Sequence, residues 1–313
     1  MSIPNRLHDR VDRLRGQGDL VQKSMAWKPR AWLRRFPKDS GHLQSHDYRA
    51  LFEAIEAKST DASTGDRPRI GRQLAAELAA SDALHTENGQ EAKKAVVTAF
   101  LASMIWGYGM VGYGPYRTQR VLTRNGTVHD EIVIDQLRGV ADMVRSEGGV
   151  AAFEHIANIR RSNRSYLKYL GPAFGTKFIY FLSKASGIVT TPVMDSVVTG
   201  WLQRNAPGAG TFNLSWWDAE SYTRYVALLQ KWADELSQAE GRKFEADDIE
   251  LLIFLDARGL STTAPESEDV TPESMLDDLG TEADARGGEE DKVGALLVEA
   301  LREWFALKPP TKD

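Results

Sequence analysis

The sequence predicts a mainly α fold. Three observations point there: apolar residues recur at helical spacing in segment after segment, no run of alternating strands can be read, and no internal repeat appears. The 313 residues, 42% of them apolar, suffice for one large domain or two smaller ones with a sizeable core.

The elements follow in chain order. Residues 1–40 are basic and aromatic, with WKPRAWLRRF at 27–36. There Trp27 and Trp32 serve either to pack an N-terminal arm or, with Lys28, Arg30, Arg34 and Arg35, to meet DNA or a partner. Residues 46–58 carry a helical stripe through Leu51, Phe52 and Ile55, and 59–69 (STDASTGDRPR) read as a loop. Helices are expected over 70–84 and 91–106, the second one buried. A sharply turned glycine and tyrosine loop, GYGMVGYGPYR, fills 107–117. Short helices fit 133–146 and 149–158. YLKYLGPAFGTKFIYFLSK reads as helix, glycine turn, helix, the second helix covering 176–185. A helix fits 195–204, a long amphipathic one fits 215–239 behind a Ser N-cap, and another fits 246–258. Residues 261–292 are acidic and rich in Ser, Thr and Gly, as a flexible linker would be. An amphipathic helix within 293–313 closes the chain and offers a face to the body or to a protein partner.

Composition removes several chemistries. With no cysteine there are no disulfides, cysteine zinc sites, iron–sulfur clusters or thiolate nucleophiles. No apolar run approaches the roughly 20 residues needed to cross a bilayer. The charged N-terminus lacks a signal-peptide core, so no membrane association and a cytoplasmic location are expected. His42 and His46 are spaced i, i+4, but no third ligand with matching spacing accompanies them except Asp47, and no metal is expected. Charge is uneven beneath a net −5. Residues 93–204 carry 14 Lys/Arg against 7 Asp/Glu, whereas 205–313 carry 10 against 24. A basic middle in an acidic chain permits a phosphate-rich partner.

Gly107–Gly112, GYGMVG, matches the dinucleotide pattern G-x-G-x-x-G letter for letter. That motif needs a strand before it. The preceding segment reads as helix, so no nicotinamide cofactor is expected. Tyr108, Tyr113 and Tyr116 offer stacking faces, and Arg117 and Arg120 offer charge. The spacing leaves open whether these rings meet nucleic acid or pack inward.

The sharper constellation is LGPAFGTKF with TTPVMDSVVTGWL downstream. Gly171 and Gly175 free the backbone to bend and expose N–H groups at a helix start, which favours phosphate. Lys177 follows at once. Asp195 comes eighteen residues later, behind Pro192, where a helix N-cap would lie. Read alone, Lys177 is a solvated helix residue and Asp195 a cap. Together, the turn, lysine and P-V-x-D resemble the helix-hairpin-helix DNA glycosylase superfamily, and most closely its 8-oxoguanine glycosylase branch. The resemblance covers about 165–204 well and 95–160 loosely.

The resemblance implies a two-lobed helical fold with a glycosylase core at 91–260, flanked by the N-terminal region 1–90. It implies double-stranded DNA as partner. Gly171, Ala173, Phe174, Gly175 and Thr176 would grip the backbone, with room for a monovalent cation at the hairpin and otherwise no cofactor. The target base would rotate out of the stack. Lys177 would attack the sugar C1′ and form a Schiff base while Asp195 stabilises the developing positive charge, and elimination would nick the strand. Tyr113, Tyr116 and Arg117 would fill the gap left by the base. Phe181, Trp216 and Trp217, with Phe254, would line the base pocket. The branch places a cysteine four residues after the lysine. Phe181 stands there here, so 8-oxoguanine itself does not carry over. Family association suggests a modified phage base, excised in antiviral defence. The competing reading is a hairpin module that holds DNA without catalysis.

Overall fold

In the computed structural model, which describes residues 2–14, 20, 22–36, 45–60, 67–80, 89–123 and 131–259, helices dominate. Among the described residues there are twelve, with one two-stranded sheet. The expected linker at 261–292, the helix within 293–313 and His42 lie outside them.

Helix α1 (Asn5–Leu14) presents Leu7 and Val11, one turn apart and both buried, next to buried Ile3. Strand β1 (Met25–Ala26) pairs antiparallel with β2 (Arg69–Ile70), Met25 opposite Ile70. Between them, α2 (Pro29–Leu33) and α3 (Ser45–Ser59) enclose an aromatic cluster. The Phe36 ring lies 4.9 Å from Tyr48 and 5.2 Å from Phe52. Trp27 and Trp32 are buried, and Trp27 Nε1 donates to Ser59 Oγ. The tryptophans therefore pack the arm, while Arg30, Arg34 and Arg35 stay exposed.

Helix α4 (Arg72–Ala79) leads to α5 (Gly89–Tyr108), which is buried nearly all round. Such a helix must be enclosed on every side, and α3, α4, α7 (Glu131–Glu147) and α9 (Pro172–Ala185) enclose it. A short turn centred on Gly109, whose φ of +51° suits glycine, gives way to α6 (Gly114–Leu122). The expected loop over 107–117 is thus mostly helix. Pro115 opens α6 rather than interrupting it, since a first-turn proline lacks only an N–H that has no intrahelical acceptor there.

Helix α8 (Gly149–Ser162) lies close against α9. A Cβ on Gly149 would sit 2.8 Å from Ile179 Cγ2 of α9 and would also collide with Thr191. Helix α10 (Ser196–Asn205) follows, then a 3-10 turn (Pro207–Ala209), α11 (Ala219–Glu240) and α12 (Ala246–Ala257). A reciprocal capping box of Glu245 and Asp248 starts α12. Its far end is clasped by α1: Arg6 Nε and Arg10 Nε donate to Asp256 at 2.7 and 3.2 Å, and Arg10 donates to the Leu255 carbonyl.

Two expectations around the hairpin need correction. Residues 164–169 form turns, not a helix. Leu167 and Tyr169 hold φ values of +43° and +72°, which non-glycine residues seldom adopt. Tertiary bonds hold Leu167 in place. Arg160 Nη1 donates to the carbonyls of Tyr166 and Leu167, and Gln136 Oε1 accepts from the Leu167 N–H. The long helix begins at Ala219 with Asp218, not Ser215, as its N-cap, and Asp218 accepts from the Ser221 N–H.

Candidate active site

Helix α9 starts early. Gly171 is its N-cap and Pro172 its first residue, which puts Lys177 on the second turn. Gly175 is therefore helical, and its reason is space. A Cβ there would sit 2.1 Å from Trp217 Cη2, because the indole lies across this glycine and donates through Nε1 to the Leu170 carbonyl. The Gly175 N–H is already given to the Gly171 carbonyl. Thr176 is fully buried. Its hydroxyl accepts from the Met194 N–H and lies within bonding distance of the Ala173 and Met194 carbonyls. Of the five residues expected to hold a DNA backbone, Gly175 and Thr176 are turned to internal bonding. The amides of Ala173 and Phe174 fall in the first turn, where N–H groups have no intrahelical acceptor.

The segment before Asp195 is pinned from several sides. Tyr222 and Tyr225 hydroxyls donate to the Pro192 and Val193 carbonyls, and the Thr191 N–H donates to Ser183 Oγ. Burial, and then the nearby Glu250, hold both tyrosine hydroxyls above their ordinary pKa, so they remain donors. Asp195 caps α10 through Oδ1, which accepts from the Val197 and Val198 N–H groups. Its other oxygen, Oδ2, lies 3.2 Å from Lys177 Nζ.

Both side chains are largely enclosed, 9% exposed for Lys177 and 16% for Asp195. Burial pushes the Asp195 carboxyl up. The Lys177 ammonium, the Val198 amide and Arg258 outweigh it, leaving the group below the ordinary carboxylate value. The pair thus offers one amine and one carboxylate that stays ionised, side by side.

The remaining predicted residues scatter around this pair. Phe181, one turn beyond Lys177, is fully buried, its ring 5.1 Å from Trp106 at a steep angle. Trp217 is buried behind the hairpin, against Gly175 and Phe153. Trp216 is 66% exposed, so it lines no enclosed pocket. Tyr113 and Tyr116 are half-buried, with ring centroids 5.3 Å apart. Arg117 is only 6% exposed on α6, because the segment that was expected to be a loop is a packed helix. A cation at the hairpin would need free carbonyl oxygens. Those of Tyr166 and Leu167 take the Arg160 guanidinium, whose charge disfavours a second cation there.

Sequence reasoning missed a polar cluster beneath α9. Arg72 Nη2 meets Glu250 Oε2 at 2.6 Å, Arg72 Nε donates to Gln22, and the guanidinium lies over the Trp106 and Tyr180 rings. Tyr180 and Lys184 donate to Asp247. Burial lifts the Glu250 carboxyl to about 7 against the opposing pull of Arg72. An arginine and an acid 178 residues apart leave no local sequence signal.

Among the described residues, no group of His, Cys, Asp and Glu is arranged to hold a metal ion, and no helix is long and apolar enough to cross a membrane. The helix before GYGMVG runs through Tyr108, so the strand that a dinucleotide site requires is a helix instead. No curated protein and no solved structure matches the chain. A family model matches residues 18–254, more than half of the chain, and its span takes in the hairpin, Lys177, Asp195 and Glu250. The chain belongs to the family described as "Putative 8-oxoguanine DNA glycosylase OGG-like protein".

Proposed function

We propose that the protein is a bifunctional DNA glycosylase that removes a modified base through a lysine Schiff base. The observation that carries this reading is the 3.2 Å contact between Lys177 Nζ and Asp195 Oδ2. Before attack, the amine gives up a proton, and the Asp195 carboxylate is an acceptor within reach. The neutral amine bonds to the sugar C1′ as the C1′–N bond breaks, and the base leaves with the bonding electron pair and takes up a proton. Asp195 hands the lysine's proton on to the departing base and, ionised again, stabilises the positive charge left on the sugar. Ring opening gives the imine, and loss of the C2′ proton expels the 3′ phosphate.

The Ala173 and Phe174 amides, at the positive end of α9, meet a backbone phosphate. Tyr113 and Tyr116, with ring centroids 5.3 Å apart, are assigned to the wedge that fills the gap left by the base, and exposed Trp216 adds a stacking face next to Trp217. Phe181 in place of the branch's cysteine favours a base other than 8-oxoguanine, and a bulky modified cytosine of phage DNA is the substrate to try first.

Mass spectrometry of bases released from DNA of several modification states, glucosylated phage DNA included, tests the activity. Borohydride should trap the wild-type protein on the DNA that it cleaves, and Lys177→Gln should not be trapped. A trapped Lys177→Gln variant overturns the assignment. Binding without base release on every substrate would favour the non-catalytic hairpin module.

A further inference from the structure

Two glycines of the tyrosine-rich stretch bracket an aromatic stack that ends on the lysine. The rings of Tyr108 and Phe174 lie face to face, centroids 3.9 Å apart and planes 17° from parallel. The Phe174 ring also carries the Lys177 amine, 4.8 Å from its centroid. Gly107, inside α5, faces this stack. A Cβ there would come to 2.8 Å from both Lys177 Cδ and Phe174 Cε1. Gly114, at the start of α6, faces it from the other end. A Cβ there would come to 2.5 Å from Tyr108 Cβ and Cγ.

Glycine inside a helix is destabilising relative to alanine, so Gly107 has a cost that its local conformation does not justify. Close approach justifies it: the lysine stem passes where a side chain would be. Asp195 takes the amine from one direction and the Phe174 ring faces it from another. A flexible four-carbon chain is thereby held in one arrangement.

Resting on the reading of Lys177 as nucleophile, we infer that Tyr108 and Phe174 are positioning residues for its amine, clamped between α5 and α6 by Gly107 and Gly114. The side chain of Phe174 thus serves the lysine, while its backbone amide remains at the helix start.

Two measurements on the full chain test this, with Phe174→Leu, Tyr108→Leu and the conservative Phe174→Tyr. The first needs no DNA. Formaldehyde and borohydride methylate accessible amines, and peptide mass spectrometry gives the rate at Lys177 relative to Lys184. Both leucine variants should raise that ratio about threefold or more, and Phe174→Tyr should keep it near wild type. The second is single-turnover borohydride trapping at saturating DNA. There the leucine variants should be about tenfold slower or worse, since small misplacements of a reacting group are costly, and Phe174→Tyr should recover most of the rate. An unchanged labelling ratio in folded leucine variants overturns the inference, as does an unchanged trapping rate. If wild type releases no base from any DNA, the glycosylase reading falls, while the labelling ratio still decides whether the clamp exists.

Discussion

Lys177 Nζ and Asp195 Oδ2 stand 3.2 Å apart although they are eighteen positions apart along helix, turn and extended chain. Thr176 closes that distance from one side by bonding Met194, and the Tyr222 and Tyr225 hydroxyls close it from the other. Asp195→Asn keeps a good N-cap for α10 but removes the charge that faces the amine. The variant should fold, bind DNA and lose about 10²–10³-fold in single-turnover base release. A loss below about threefold would remove Asp195 from the chemistry.

The same carboxylate gives a pH signature. Its folded pKa lies below the ordinary value of 3.8, so its stabilising contribution is fully present above that value and is lost as pH falls through the lower folded value. The difference in melting temperature between wild type and Asp195→Asn should hold from neutral pH down to 3.8 and shrink in more acidic solution. A difference that grows on acidification would contradict the assignment.

Gly175→Ala should be destabilising although alanine ordinarily favours a helix. Its Cβ meets Trp217 at 2.1 Å, and overpacking of that kind costs about 1–3 kcal/mol. Urea unfolding should show much of the cost recovered in the Gly175→Ala, Trp217→Phe double variant. Additive losses would mean that the two residues do not meet.

Arg72 and Glu250 are 12% and 2% exposed in their pair. Glu250→Leu alone leaves a buried guanidinium without its partner acid and should cost about 3–5 kcal/mol in chemical denaturation. Adding Arg72→Leu should recover part of that loss, because two apolar groups leave no unpaired charge.

Trp216→Ala removes a ring that is 66% exposed, so the melting temperature should stay constant. DNA affinity, read by fluorescence anisotropy, should fall by about 1–3 kcal/mol if the ring stacks on a base. Unchanged affinity would remove Trp216 from the DNA contact.

Local chemistry made much of this readable in the sequence. T-P-V-M-D-S placed Asp195 at a cap because proline sets an extended entry and aspartate accepts two amide protons. The helical spacing of 91–106 announced α5 and ruled out a strand before GYGMVG. Long-range approach was not readable. Gly175 looks like a turn residue, and only Trp217, 42 positions away, explains it as a packing glycine. Ser215 and Asp218 are equally good caps by residue type, and the docking of Trp217 decides for the later one. The positive φ of Leu167 is held by Arg160 and Gln136, which lie on other elements.

The grip of Arg6 on Asp256 joins positions 250 residues apart. During synthesis, α1 leaves the ribosome some 250 residues ahead of its docking site. At about 5–20 residues per second, that helix waits on the order of 12–50 s with Leu7 and Val11 bare to solvent. A nascent chain of this protein therefore shows the apolar face of α1 to chaperones until α12 has emerged.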